Sequence, residues 1–403
     1  MEAKADPLPL STTPNIRTRL SIRRHGIYVV IIIFLLYQTI DTVMMSTASS
    51  AAIKSIFLPY VEGFSSDETP QVRTTINGTE FNLPIDTGST GLLMGAPLLP
   101  DISPTTGTPA HTYLSSSRIL YSGRLVDISI TFHGLNGIYA VATVPVLVVD
   151  TSIVCPWYDP LKDSFACPYN PDAPKPKPRD VSKITYMGVG FGRNNPGDGQ
   201  PFGVPAMNPF LNIHSINENA VSLHAGYTIS TGGVHLGLTK EIVWGYNFIP
   251  LKPGLTHEKD PRDWAMVGMC FRVNNRHAKC GQGLVDTGIS QMYLRTEDNV
   301  DIPTITIPNP NPNGATEWVK RVNPGTSIAI GFPNLEEEIV MRYTFRVGQG
   351  GLMEPSYVAP GKPRGPPFVN TGRNLLFGYS VAFDAQAGRF GFRPVKHGAV
   401  PSF

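Results

Sequence analysis

Hydrophobic positions follow two regimes along this chain. From Ile27 to Met45 they form one block of 19 residues, interrupted mainly by Gln38 and Asp41 and unbroken over Ile27–Tyr37. After residue 55 they come as short β-branched and aromatic runs separated by Gly, Pro and Asn, without a sustained helical period. Runs of strand length bounded by turn residues predict a mainly β protein.

The runs can be placed one by one. Arg73–Asp86 reads as a hairpin turned at Asn77-Gly78, a dipeptide that readily takes positive φ at both turn positions. Its second strand ends on Asp86-Thr87-Gly88-Ser89. Further strands are predicted over Arg118–Tyr121, Leu125–Phe132, Tyr139–Val149 and Ile184–Gly192. The Pro-rich excursion Cys155–Asp180 cannot pair as a central strand and is predicted as a surface loop. Asn194–Asn219 reads as a polar, Gly/Pro-rich connection. Val234–Leu238, Asn247–Leu251 and Trp264–Val273 read as strands, Asn274–His277 as a turn, and Ala278–Val285 as the strand that returns to Asp286-Thr287-Gly288. A closing hairpin is predicted from Val381–Asp384, a turn at Gly388 and Phe390–Phe392. The coarse organisation is thus a duplication: an apolar strand followed by Asp-Thr-Gly, twice, 200 residues apart.

Charge gives the apolar block its meaning. Of 33 basic and 31 acidic residues, five and three lie within residues 1–50, which leaves 28 of each in the remainder. The remainder is near neutral and offers no basic field for nucleic acid. Arg17, Arg19, Arg23 and Arg24 precede the block and only Lys54 closely follows it. That asymmetry keeps the N-terminus cytoplasmic and sends the rest across the membrane. Residues 27–45 serve either as an uncleaved signal anchor or as a signal peptide cleaved near residue 50, after Ser46–Ala52. The expected location is the secretory pathway, with a lumenal or extracellular C-terminal part, membrane-held through 27–45 or secreted.

The four cysteines fit that compartment. They allow three pairings, of which the two local ones, Cys155 with Cys167 and Cys270 with Cys280, are preferred. Their spacings do not suit zinc and the nine histidines are scattered, so no metal site is expected. Asn77-Gly78-Thr79 is a glycosylation sequon.

The chemistry lies in the duplication. A Gly in each Asp-Thr-Gly permits a tight turn at a strand end and close backbone approach. Each Thr can bond across to the other copy. Two carboxyls held about 3 Å apart cannot both ionise cheaply and share one proton. One then serves as base for a bound water and the other as acid.

Leu83–Thr90 and Gly281–Gly288 resemble the two active-site loops of pepsin-like aspartic peptidases (peptidase A1). Met187–Gly192 is similar to that family's glycine-rich crossing segment. Gly232–Gly237, Phe248–Leu251 and Trp264 are similar to its interlobe strands, and Val381–Gly391 to its closing hairpin. The resemblance spans about residues 60–395 and extends to fungal membrane-tethered or secreted members. It implies an all-β, two-lobed pepsin-like acid protease fold with a cleft between the lobes, preceded by the hydrophobic segment. It also implies aspartic endopeptidase activity on a peptide or protein substrate, no cofactor, and a monomer. Asp86 and Asp286 would be catalytic, with Thr87, Gly88, Ser89, Thr287 and Gly288 supporting them. The organisation expected is a polar tail 1–26, the apolar segment 27–45, a stalk 46–54, an N-terminal lobe 55–245 and a C-terminal lobe 246–403.

The chain departs from the pattern in several places. Ile289 stands where a hydroxyl usually follows the second motif, leaving Asp286 without that support. Gly91-Leu-Leu-Met94 stands where a tryptophan is usual. Tyr113, or less well Tyr121, is the candidate flap tyrosine. Asn370-Thr371-Gly372 replaces an apolar–apolar–Gly segment, and little room exists for a propeptide. These departures motivate a rival: a non-proteolytic protein of this fold that binds a ligand in the cleft or acts in fungal secondary-metabolite biosynthesis. A third class, a structural or adhesive surface protein, rests on the membrane segment alone.

Overall fold

A computed structural model describes residues 54–395, apart from 116, 173–174, 195–199, 201, 298–301, 311–315 and 363–364. Residues 27–45 therefore lie outside the described residues. Among those described, no helix is long and apolar enough to cross a membrane. Among the described residues the architecture is all-β: three large sheets and one two-stranded ribbon, with helical structure limited to short 3₁₀ turns.

The hairpin Gln71–Ile76/Thr79–Asp86 forms as its sequence predicts, with Asn77 and Gly78 at φ 48° and 77°. Alternation along Thr79–Asp86 buries Leu83 and Ile85. Each such burial is worth about 1.5–3 kcal/mol. The strand therefore has one stable register, and that register fixes where Asp86 emerges.

This hairpin belongs to a nine-stranded sheet. Six of its strands, Tyr139–Val154, Thr90–Gly95, Thr185–Val189, Thr79–Asp86, Gln71–Ile76 and Ile119–His133, pair in a closed ring. The second Asp-Thr-Gly is delivered by Val267–Val273/Lys279–Leu284 in a seven-stranded sheet. Cys270 and Cys280 sit directly opposite each other there and are disulfide-bonded. Cys155–Cys167 staples the excursion beyond Val154. Both local pairings thus occur, and they fit an oxidising environment.

The third sheet has six strands in the order Ile56–Pro59, Gly233–Leu236, Gly226–Ser230, Tyr379–Asp384, Arg389–Pro394 and Asn247–Pro250. A boundary at 245/246 therefore cuts through a sheet to which both halves contribute. Phe191, just past the first half's crossing strand, stacks on Phe383 of the closing hairpin at 3.9 Å between ring centroids. Buried Asp384 holds that hairpin's end by accepting from Arg389 Nε at 2.8 Å and from the Ala387 N–H at 3.0 Å.

Two expectations need correction. Arg118–Tyr121 and Leu125–Phe132 are one strand, Ile119–His133, bent by a bulge at Ser122/Gly123. The stretch 194–219 is not merely a polar connection. Met207, Phe210 and Leu211 are buried, and Asn208, fully buried, donates through Nδ2 to Val189 O at 2.8 Å. Its prolines set two 3₁₀ turns that present the apolar residues inward.

Candidate active site

The two aspartates emerge at the ends of their hairpins, and each is nearly buried, at 4% and 6% exposure. The carboxyls converge: a Cβ built on Gly288 would lie 2.5 Å from Asp86 Oδ1 and 3.1 Å from Asp286 Oδ1. A Cβ added to Gly88 would collide with the Asp286 carboxyl, and one added to Gly288 with that of Asp86. Glycine is required at both places because each loop passes against the other loop's acid.

Thr87 and Thr287 interlock the loops. The Thr87 N–H donates to Thr287 Oγ1 at 3.1 Å and the Thr287 N–H to Thr87 Oγ1 at 3.0 Å. Each hydroxyl then donates onward across the interface, Thr87 to Val285 O at 2.5 Å and Thr287 to Ile85 O at 2.6 Å. Every polar atom of this buried knot has a partner, which is the condition for such a network to be rigid.

Each carboxyl is held by its own donors. Asp86 Oδ1 accepts the Gly88 N–H at 2.6 Å, and Oδ2 accepts the Ser89 hydroxyl at 2.8 Å. Oδ2 also accepts the hydroxyl of Tyr186. Asp286 Oδ1 accepts the Gly288 N–H at 2.9 Å, and Oδ2 accepts Nδ2 of Asn370 at 2.6 Å. The amide orientation of Asn370 is fixed because its Oδ1 accepts the Gly372 N–H at 3.0 Å. Ile289 does leave Asp286 without a neighbouring hydroxyl, but Asn370 supplies the missing donor. The two departures from the family pattern offset each other. Ile289→Thr is accordingly expected to leave any turnover by this pair within about fivefold of the parent, since one added neutral hydrogen bond is worth only about 1 kcal/mol and its acceptor is already served. A clear gain in kcat would show that Asn370 does not do this work.

Behind the pair lies Arg373, at 3% exposure. Its Nε donates to Thr287 O and its Nη2 to Gly288 O, both at 3.0 Å. Nη1 donates to Ser66 O at 2.9 Å, and Nη2 also reaches Thr69 Oγ1 at 3.0 Å. One guanidinium thus ties the second loop to a segment of the first half. Burial lowers its pKa, while the charges of Asp286, Asp86 and Asp67 oppose that change.

Burial first, and the charge of Asp86 second, push the Asp286 carboxyl well above the usual carboxylate range. The pair therefore holds one proton and titrates as a unit. A carboxyl whose pKa rises on folding contributes stability fully present below its unfolded value and lost as pH climbs through the folded one. The denaturation midpoint is expected to fall between mildly acidic and alkaline pH, and Asp286→Asn to flatten that fall. Identical slopes for parent and variant would mean the pair does not share a proton.

Other expected positions fall elsewhere. Tyr113 is not a lid tyrosine here: it is 3% exposed, its hydroxyl donates to Cys155 O at 3.1 Å, and its ring lies 4.7 Å from that of Tyr158. Tyr121 is also buried, its hydroxyl accepting from Arg179 at 3.3 Å. Both are packing residues carried on the hairpin Thr108–Leu114/Ile119–His133. Asn77 is exposed on its turn, as a glycosylated residue must be. No group of His, Cys, Asp and Glu able to hold a metal occurs among the described residues.

Tyr186, Asn370 and Arg373 were not singled out as site residues from sequence. No protein-family model and no curated protein matches this chain.

Proposed function

We propose that the chain is an aspartic endopeptidase of pepsin-like, two-lobed architecture. The observation that carries this reading is the paired, nearly buried carboxyls of Asp86 and Asp286, presented by two interlocked Asp-Thr-Gly loops. An inert scaffold has no need to bury two acids against each other, which also argues against a purely adhesive role. Asp86, with three donors on its oxygens, carries the negative charge and takes a proton from water. Asp286, the protonated partner, gives its proton to the substrate carbonyl oxygen as water adds to the carbonyl carbon. The proton gained by Asp86 then passes to the leaving amine as the C–N bond breaks, while a hydroxyl of the gem-diol returns its proton to Asp286, giving the carboxylic acid and restoring the pair. Thr87 and Thr287 keep the carboxyls in register, and Ser89 and Asn370 hold one oxygen of each. The reading places the protein in the secretory pathway, consistent with its two disulfides, with residues 27–45 as anchor or cleaved signal.

A second reading keeps the acid–base pair and changes the substrate: a small molecule in place of a peptide. Tyr186 and Asn370 favour it, because both put polar groups beside the carboxyls, Asn370 where the family pattern is apolar. Fold alone does not choose between the two. Incubation of the purified chain with a peptide library, from acidic to neutral pH and with or without a statine-type inhibitor, does. Inhibitor-sensitive cleavage supports the peptidase. Folded protein without cleavage at any pH overturns it in favour of the small-molecule reading.

A further inference from the structure

The two extra donors are placed alike. Thr185–Val189 runs parallel to the strand of Asp86 and antiparallel to Thr90–Gly95. Phe368–Asn370 runs parallel to the strand that leads to Asp286 and antiparallel to Met292–Arg295. Leu93 is the register partner of Tyr186, and Tyr293 that of Asn370. Leu93 and Tyr293 each lie seven residues beyond their aspartate, and Tyr186 and Asn370 each precede a glycine by two. They are thus equivalent positions of the duplicated unit, and both donate to Oδ2 of their own half's aspartate.

We propose that Tyr186 and Asn370 are a matched pair of positioning residues that set the proton affinities of the two carboxyls in opposite roles, Tyr186 holding the charge on Asp86 and Asn370 limiting how tightly Asp286 keeps its proton. The proposal deepens the acid-pair reading and rests on it. Burial, and then the charge of Asp86, push the Tyr186 phenol upward, so it stays protonated and donates. Its ring packs against the cluster that contains Leu93, Ala110 and Tyr121, so the hydroxyl approaches Asp86 from a fixed direction. The ionisable groups around the pair are Arg373, with Asp67 beside it, and Tyr121 with Arg179 on the far side of the Tyr186 cluster. Arg373 bonds Thr287, Gly288, Ser66 and Thr69, and Arg179 bonds Tyr121, so substitutions at Tyr186 and Asn370 leave these cations in place.

The signs differ between the two positions. A donor to a carboxylate favours its charged form, so its loss raises that carboxyl's proton affinity. Tyr186→Phe removes only the hydroxyl and lets Asp86, the base, protonate sooner. The acid limb of the kcat/KM profile then moves up by about one pH unit and the active window narrows. Asn370→Leu lets Asp286, the acid, hold its proton longer. The alkaline limb moves up by a similar amount and the window widens. A purely structural pair would lower the plateau without moving either limb.

The experiment uses the full chain and compares parent, Tyr186→Phe and Asn370→Leu by peptide-cleavage pH profile. A parallel arm measures the pH dependence of esterification of Asp86 by a small epoxide, read by peptide mass. The epoxide reports Asp86 ionisation whether or not peptides are cleaved, so absence of cleavage would fail the peptidase reading without deciding this one. An upward shift of the epoxide profile in Tyr186→Phe supports the proposal, as does an alkaline-limb shift confined to Asn370→Leu. Superimposable profiles, or both variants moving the same limb, overturn it. Thermal melting of both variants checks that each is folded. Should Asn370→Leu not fold, Asn370→Ser takes its place with the same expected sign.

Discussion

Asp86→Asn should reduce peptide cleavage by about a thousandfold or more while leaving the protein folded. Removing a positioned general base commonly costs two to four orders of magnitude in rate, and here the remaining carboxyl, Asp286, cannot serve as base and acid at once. Ser89 and Tyr186 both donate to Asp86, and the phenol is held protonated by its surroundings. The carboxamide has the size of the carboxyl, so the reciprocal threonine bonds, which run through Thr87 and Thr287 and not through the acid, stay intact. Substituting the acid also relieves the crowding of two carboxyls, so thermal stability is expected to hold or rise, most visibly above neutral pH. Cleavage by Asp86→Asn at the parental rate would assign the activity to something other than this pair.

The second large effect is on stability. Arg373→Met keeps most of the apolar stem but removes donors to Thr287 O, Gly288 O, Ser66 O and Thr69 Oγ1. The fully buried Thr287 carbonyl left without a partner costs about 1–3 kcal/mol, whereas Gly288 O keeps the Thr69 hydroxyl and Ser66 O is only part-buried. The variant should therefore lose about 2–3 kcal/mol, read as a lower denaturant midpoint at unchanged m-value. An unchanged midpoint would mean that these bonds do not hold the second loop to the first half.

Local chemistry made much of this molecule legible from its residues. Asn77-Gly78 dictates its own turn, and the alternation that buries Leu83 and Ile85 dictates the register that ends on Asp86. The threonines could be paired because each follows an aspartate in a repeated motif. The donors to the outer oxygens were not legible, because they come from far along the chain: Tyr186 lies 100 residues from Asp86, and Asn370 lies 84 from Asp286. The signal that could have found them was present: aligned on their glycines, the crossing strands both carry a polar side chain two residues earlier. Between Met292 and Asn370 the pattern is uneven: Met341–Arg346 alternates and buries Met341 and Tyr343, whereas one ribbon does not. Thr304–Pro308 is largely exposed and pairs only with Trp318–Val322, so its residues are under no demand to alternate. Tyr113 misled for the opposite reason, since a tyrosine before a turn can as readily bury its ring as lift it over a substrate.

The shared six-stranded sheet has a consequence for the order of events during synthesis. Its strands come from the start, the middle and the end of the described chain, and Gly226–Ser230 gains its inner neighbour only when Tyr379–Asp384 arrives. A ribosome that has released only the first half has produced Asp86 on a finished hairpin without an opposing acid, and the joining sheet lacks Tyr379–Asp384 and Arg389–Pro394. Assembly of the acid pair thus has to wait for the closing hairpin to clear the ribosome. A growing chain threaded into a secretory compartment would carry no working acid pair alongside its own unfolded segments.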